Sequence, residues 1–263
     1  MTDPAGRPTL VALAASFRAG HLDPEVLESD PRAGARLLAA RWVRRRQRSE
    51  AETRRLEELF ACERAAWAEG TTPVAGVDEA GRGPLAGPVV AGAVVFPDIT
   101  LIRRLKDSKQ LGPREREGLY GEIAASGAAI GIGIADVREI DRFNILGATR
   151  LAWSRAVASL PQAPALVLLD GNHRPALPMR LVTLVRGDAC CASIAAASIV
   201  AKVTRDRLMV ELDRQYPHYG LARHKGYATA YHLEALKRLG PSPVHRRVFL
   251  PPDLLQQSLL PDR

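Results

Sequence analysis

The run Ala165-Leu166-Val167-Leu168-Leu169, wholly apolar and closed by Asp170, constrains this chain more than any other feature. Such a run is too short for a stable helix, and no polar residue alternates with the apolar ones. It therefore reads as a strand buried on both faces. Strands of that kind belong to sheets covered by helices. Val74–Val77, Val89–Phe96, Ala128–Ile134 and Leu181–Val185 are further strand-like runs. Arg114–Ser126, Ile140–Ser159 and Ala192–Tyr216 have helical character. The alternation predicts an α/β domain with a mixed sheet.

Residues 1–70 follow a different pattern. Asp23-Pro24 and Asp30-Pro31 each pair a capping acid with a proline at the first helical position. Leu10, Leu13, Ala14 and Phe17 fall at helical spacing, so Leu10–Ala15 reads as an amphipathic helix rather than a signal-peptide core. Asp3 also precedes it where basic residues should dominate. Leu37, Leu38, Trp42 and Val43, then Leu56, Leu59, Phe60 and Glu63, continue the period to Trp67. These signals predict a helical extension over 1–70 and an α/β domain over 71–263 with a helical C-terminal segment.

The net charge of +8 is unevenly placed. Residues 1–70 hold 12 Lys+Arg and 11 Asp+Glu, whereas the remaining 193 residues hold 25 and 18. A basic domain favours a polyanionic partner, most commonly nucleic acid. Arg44-Arg45-Arg46-Gln47-Arg48 reads either as a solvated helix face or as a phosphate contact. No apolar run reaches the length of a membrane span. Three cysteines, Cys62 and the adjacent Cys190 and Cys191, form neither a disulfide framework nor a zinc spacing, which points to a reducing cytoplasm. The absence of an evident oligomerisation motif points to a monomer.

Four acids stand at the carboxyl ends of predicted strands, where open α/β sheets place their sites. Asp78-Glu79 follows Val74–Val77, Asp170 ends its run, and Asp188 follows Leu184-Val185. Carboxylates converging there would repel one another unless a cation neutralised them. Mg²⁺ or Mn²⁺, which takes oxygen ligands, is the natural partner. Two such ions about 4 Å apart form a clamp for in-line phosphoryl displacement. A single strand-end acid is ordinarily an N-cap or a turn residue, and Asp188 taken alone reads as one. Asp78 and Glu79 can share a site only if the strand ends at them, as Ala80-Gly81-Arg82-Gly83-Pro84 indicates.

The segment from Gly76-Val77-Asp78-Glu79-Ala80-Gly81-Arg82-Gly83-Pro84 through Ala91 closely resembles the opening motif of bacterial ribonuclease HII. Leu105-Lys106-Asp107-Ser108-Lys109 resembles the family's DSK segment, and Ile140-Asp141-Arg142-Phe143-Asn144-Ile145 its I-D-x-x-N-I helix start. Leu169-Asp170-Gly171-Asn172 resembles the third-acid motif. Gly187-Asp188-Ala189 with Ser193–Asp206 resembles the fourth. His224-Lys225-Gly226-Tyr227, His232 and Gly240–Arg246 complete an ordered series over about 74–250. Residues 1–70 less specifically resemble the N-terminal extension of some longer members.

The resemblance implies an RNase H-like fold and hydrolysis of RNA in RNA/DNA hybrids, including cleavage at single ribonucleotides embedded in DNA. Asp78, Glu79, Asp170 and Asp188 would be the metal-binding catalytic acids, holding Mg²⁺ or Mn²⁺, and the products would carry 5′-phosphate and 3′-hydroxyl ends. Gly81, Arg82 and Gly83 would approach the ribose 2′-hydroxyl, and Tyr227 would match the family's ribose-sensing tyrosine. Lys109, Asn144, Ser198, Lys202 and Arg205 are candidates for phosphate contact, and Ser198 and Lys202 share a helix face. His224, His232 and His245 lack metal-ligand spacing and read as structural or duplex-facing. Val248 stands where the family often has Ser. Gln256-Gln257-Ser258-Leu259-Leu260 loosely resembles the peptide by which bacterial replication proteins dock on the sliding clamp, with Leu260 in place of the usual Phe. Two other readings remain open on the residues alone: a two-metal nuclease with another duplex preference, and a non-catalytic duplex-binding protein.

Overall fold

The computed structural model describes residues 8–19, 21 and 24–256. The chain packs as two units, Met1–Arg55 and Leu56–Arg263. The division falls inside a helix, so residues 56–70 pack with the sheet rather than with the extension. Among the described residues no helix is long and apolar enough to cross a membrane.

In the first unit, α1 (Leu10–Arg18) is capped by the Thr9 hydroxyl, which accepts from the Ala12 N–H. The short α2 (Pro24–Glu28) and the long α3 (Ala33–Leu59) follow, the latter ending in the second unit. Leu13, Leu27, Ala35 and Ala39 form a small core, with the Phe17 ring edge-on to Trp42 at 5.8 Å. The Arg46 guanidinium lies 5.4 Å from the Trp42 ring centroid and pairs with Glu50 at 2.6 Å. Arg44, Arg45 and Arg48 are exposed.

The second unit contains α4 (Ala61–Ala68), β1 (Val74–Ala80), β2 (Val89–Val95), α5 (Pro113–Ala125), β3 (Ala129–Ala135) and α6 (Val137–Ala158). Then come β4 (Leu166–Asp170), β5 (Arg180–Leu184), α7 (Gly187–Cys190), α8 (Ala192–Gln215), α9 (Leu221–His224), α10 (Ala230–Leu239) and α11 (Pro252–Gln256). The sheet order is β3-β2-β1-β4-β5. β1 pairs antiparallel with β2, and β2 with β3; β1 and β4, and β4 and β5, are parallel. This is the mixed sheet that the pattern predicted.

Helices cover both faces, which accounts for the wholly apolar β4. On one face, Ala195, Ala196, Ile199 and Val200 of α8 pack with Val94, Leu119 and Ile123. On the other, Ala148, Ala152 and Trp153 of α6 pack against Val77, Ala91, Val167 and Leu169. The approach of α8 is close: a Cβ at Gly92 would lie 2.5 Å from the Ala197 carbonyl oxygen. α6 begins earlier than the sequence suggested, because Asp136 and Glu139 form a reciprocal capping box. It is interrupted at Asn144, whose φ of 57° and ψ of 175° lie in a region usually left to glycine. The C-terminal segment builds a third cluster around Leu85, Ala86, Met209, Leu221 and Leu236.

Candidate active site

Three adjacent parallel strands bring their carboxyl ends to one edge of the sheet, and each delivers an acid there. Asp78 stands near the end of β1, Asp170 closes β4, and Asp188 follows β5 on α7. One carboxylate oxygen of each lies within 4.8 Å of the others. Asp170 Oδ1 accepts from the Gly187 N–H at 2.7 Å, which ties the end of β4 to the start of α7. Arg186 makes that junction in a left-handed conformation, with φ at 59°.

Burial pushes the Asp78 carboxyl well above the ordinary range, and the charges of Glu79 and Asp170 push it further. Burial, then Asp107 and Asp170, also raises Asp188. Lys109 provides the nearest cation, its Nζ 3.4 Å from Asp188 and 4.0 Å from Asp107. One lysine cannot neutralise three clustered carboxylates, two of them buried. The oxygen donor set and its unfavourable charge fit a hard divalent cation.

Glu79 is placed differently from the expectation. β1 continues through Ala80, with Asp78 opposite Gly92 and Glu79 opposite Ala91, so the two side chains leave opposite faces. Glu79 Oε2 accepts from the Trp153 indole N–H at 2.9 Å, and Oε1 from Arg82 at 3.4 Å. It therefore lies outside the 4.8 Å cluster, although the Asp170 charge still acts on it.

The loop after β1 is held from below by two buried arginines. Arg246 donates to the carbonyls of Gly81, Arg82, Gly87 and Pro88. Arg205 donates to those of Ala86, Pro88 and Lys225. Burial lowers Arg205 to about 10 and Arg246 to about 9, so both stay charged near neutral pH. Arg205 is 1% exposed, which corrects its assignment as a phosphate contact. Gly81 has φ at +96° and would drive a Cβ into Arg205 and the Pro88 carbonyl. Gly83 is different. A Cβ there would meet only the Tyr227 ring, at 3.8 Å, so its bareness leaves room above the loop. Tyr227 is 47% exposed beside it, and the Leu85 N–H donates to the Gly226 carbonyl.

The other candidates scatter. Ser198 is buried and donates to the Ser108 hydroxyl at 2.6 Å, so it braces the turn that carries Lys109 instead of facing a phosphate. Lys202 is partly exposed and pairs with Asp206 at 2.6 Å. Asn144 is exposed, and its Oδ1 accepts from the N–H groups of Leu146 and Gly147, capping the second half of α6. Val248 is exposed, and its N–H donates to Asp141 Oδ1 at 3.2 Å. Within the tail, residues 257–260 lie outside the described residues.

Sequence reasoning missed two supports. Trp153 fixes Glu79 from a helix distant in sequence. Glu63, on α4, is fully buried, and its Oε1 accepts from the Ser193 N–H at 2.7 Å, the Ser193 hydroxyl at 2.6 Å and the Cys191 thiol at 3.1 Å. A carboxylate from another helix thus caps α8 directly after the Asp188 turn. The only sequence signal was an acid on the apolar face of an amphipathic helix, between Phe60 and Trp67.

Known proteins resemble this chain in sequence and in fold. The Ribonuclease HII family model matches residues 75–250, and that of the Ribonuclease HII N-terminal domain matches 20–67. The chain is 50% identical over 235 residues to the Ribonuclease HII of Geobacillus thermodenitrificans, covering 88% of this chain and 90% of that one. Among solved structures, it resembles ribonuclease H2 from Pyrococcus horikoshii, with a TM-score of 0.58 and 30% identity over 67% of this chain and 93% of that one. It also resembles the structure of the PCNA:RNase HII complex from Archaeoglobus fulgidus, with a TM-score of 0.58 and 27% identity over 68% of this chain and 96% of that one.

Proposed function

The chain belongs to the ribonuclease HII family, and on that footing we propose that this metal-dependent ribonuclease H cuts RNA within RNA/DNA hybrids and at single ribonucleotides embedded in duplex DNA. The products carry 5′-phosphate and 3′-hydroxyl ends. The observation that carries the reading is the convergence of Asp78, Asp170 and Asp188 within 4.8 Å at one sheet edge. The bare Gly83 and the half-exposed Tyr227 support it from the adjoining loop.

Two Mg²⁺ or Mn²⁺ ions held by Asp78, Glu79, Asp170 and Asp188 would activate the attacking water and neutralise charge on the departing oxygen. The chain's own residues do the rest. β1 and β4 hold Asp78 and Asp170, and α7 holds Asp188 against them. Trp153 and Arg82 hold Glu79 beside them. The backbone of Gly81–Gly83 hydrogen-bonds the ribose 2′-hydroxyl, the one group that distinguishes RNA from DNA at a given position. A site built around that hydroxyl rejects deoxyribose strongly, because the protein's polar groups are then left unpaired. Tyr227 packs on the following sugar and favours a deoxyribose there. Lys109, Asn144 and Lys202 contact phosphates, which position a duplex without reading its sequence.

The catalytic work lies in residues 71–263. The three free cysteines fit a reducing cytoplasm. The tail Gln256–Leu260 docks on a sliding clamp. Gln256, Ser258 and Leu259 support that role, as does the archaeal relative solved in complex with PCNA. Loss of all measurable clamp binding by the tail peptide would remove it. The decisive assay incubates the protein with a DNA duplex containing one ribonucleotide, with and without Mg²⁺ or Mn²⁺. A single metal-dependent cut at the ribonucleotide is expected; no cut in either metal refutes the proposal.

A further inference from the structure

Behind Tyr227 lie three histidines that the mechanism does not use. His224 and His232 are stacked at 4.3 Å, and His232 and His245 are 5.2 Å apart, ring centroid to centroid. Tyr219 packs on His245 and Tyr231 faces His224. His232 and His245 are buried.

Donor counting fixes where each proton sits. The Ser242 N–H can only donate, and it lies 3.0 Å from His245 Nδ1. That nitrogen therefore accepts, and neutral His245 carries its hydrogen on Nε2. His245 Nε2 is 3.0 Å from His232 Nε2, which must accept. The hydrogen of His232 is then on Nδ1, 2.9 Å from the Tyr227 carbonyl, which can only accept. His224 resolves independently. Its Nε2 lies 2.7 Å from the Tyr219 carbonyl and so donates, while its Nδ1 accepts from the Gly226 N–H at 3.2 Å. Every ring nitrogen is satisfied, and every ring is neutral. A further proton on His232 or His245 would set N–H against N–H. Burial, which lowers His232 and brings His245 to about 4, agrees with this pattern.

The chain has informative ends. One is the main chain of Tyr227, whose ring borders Gly83. The other is His245, which bridges to Ala86 and precedes Arg246, the residue that holds Gly81 and Arg82. The histidines thus join the two parts of the ribose-reading surface.

We propose that His232 and His245 are positioning residues for Tyr227: the directed chain from Ser242 through His245 and His232 sets the tyrosine over Gly83 and so governs cleavage at a single ribonucleotide. This rests on the reading of Tyr227 given above.

The test uses the full chain, with one DNA duplex carrying a single ribonucleotide and one long RNA/DNA hybrid. His232→Leu removes the donor to Tyr227. It should lower kcat/KM on the single ribonucleotide by about tenfold, the scale of one hydrogen bond lost at a carbonyl that keeps its second donor, the Thr229 N–H at 2.8 Å, and much less on the hybrid. In His232→Asn an amide N–H takes the place of Nδ1–H, and this variant should recover most of the loss. Equal losses on both substrates, or no rescue by Asn, would overturn the proposal. Imidazole ¹⁵N shifts of the unsubstituted protein near pH 7 provide a readout independent of activity. They should show an Nδ1–H tautomer for His232 and Nε2–H tautomers for His224 and His245. An Nε2–H His232 overturns the chain. Tyr227→Ala, measured in parallel, separates the two levels. A preferential loss there without one in His232→Leu refutes the histidine role alone. No preferential loss in either refutes the reading of Tyr227.

Discussion

Asp78→Asn should make the metal-free protein more stable while removing its activity. The side chain is 5% exposed, and its carboxylate stands within 4.8 Å of those of Asp170 and Asp188. At an effective dielectric constant near 20, each ionised pair at that separation repels by about 3.5 kcal/mol. Two such pairs exceed the cost of leaving Asp78 protonated near pH 7, about 4 kcal/mol from an ordinary carboxylate value. Protonation therefore caps the penalty. Lys109 and the Glu79 N–H, which donates to Asp78 Oδ1 at 2.7 Å, offset part of it. Asparagine keeps that acceptor and loses the charge. A gain of about 2 kcal/mol in metal-free stability follows, or about 4–8 °C in Tm for a domain of this size.

The pH dependence has a definite sign. The folded-state pKa of Asp78 is raised, so its relative stabilisation is complete below the unfolded carboxylate value and is lost as pH rises through the folded one. Thermal melts in EDTA across that window should show the natural protein losing stability relative to Asp78→Asn as pH rises. Added Mg²⁺ should then restore the natural protein by about 2.7 kcal/mol at a concentration one hundredfold above its Kd, and the variant by much less. A metal-free Tm that is unchanged or lower in Asp78→Asn, or an undiminished response to Mg²⁺, would refute the electrostatic account.

Glu63→Ala should cost about 2–4 kcal/mol, because it uncaps α8, leaves the Ser193 N–H without its acceptor in the interior and leaves the Ser193 hydroxyl only the weak Cys191 Sγ contact at 3.4 Å. Urea denaturation measures this, and Glu63→Gln, which keeps an acceptor, should lose less. Arg246→Lys should destabilise by about 2–3 kcal/mol, since one ammonium cannot serve the four carbonyls that the guanidinium holds. A melt unchanged by that substitution would remove Arg246 as the support of the loop. Replacing Arg44, Arg45 and Arg48 with Ala tests the extension. If these exposed side chains meet phosphates, the salt dependence of duplex binding should shallow by about 0.9 for each phosphate no longer neutralised. An unchanged slope identifies them as a solvated helix face.

The legible parts of this molecule were those in which neighbours in sequence do the physical work. The apolar run closed by Asp170 announced a doubly covered strand, because burial on both faces leaves no room for polar alternation. Asp78, Asp170 and Asp188 were readable as one site because parallel strands end at the same edge whatever their order in the chain. The sequence turned misleading where a local signal had two outcomes. Ala80-Gly81-Arg82-Gly83 marked a turn, but not that β1 would pair through Ala80 and leave Glu79 outside the 4.8 Å cluster. Arg205 had the same composition signal as a phosphate ligand, and only its burial beneath the loop shows that it binds carbonyls. Glu63 and Trp153 were illegible, and the histidines were read only as structural or duplex-facing, for a common reason. Each acts on a partner that tertiary packing alone brings near, and nothing in a helix's own periodicity records what its one polar atom will meet. These residues surround the site without entering it. The acids could be found by spacing, whereas the groups that aim them and hold the loop after β1 could be found only by asking where each buried donor and acceptor is satisfied.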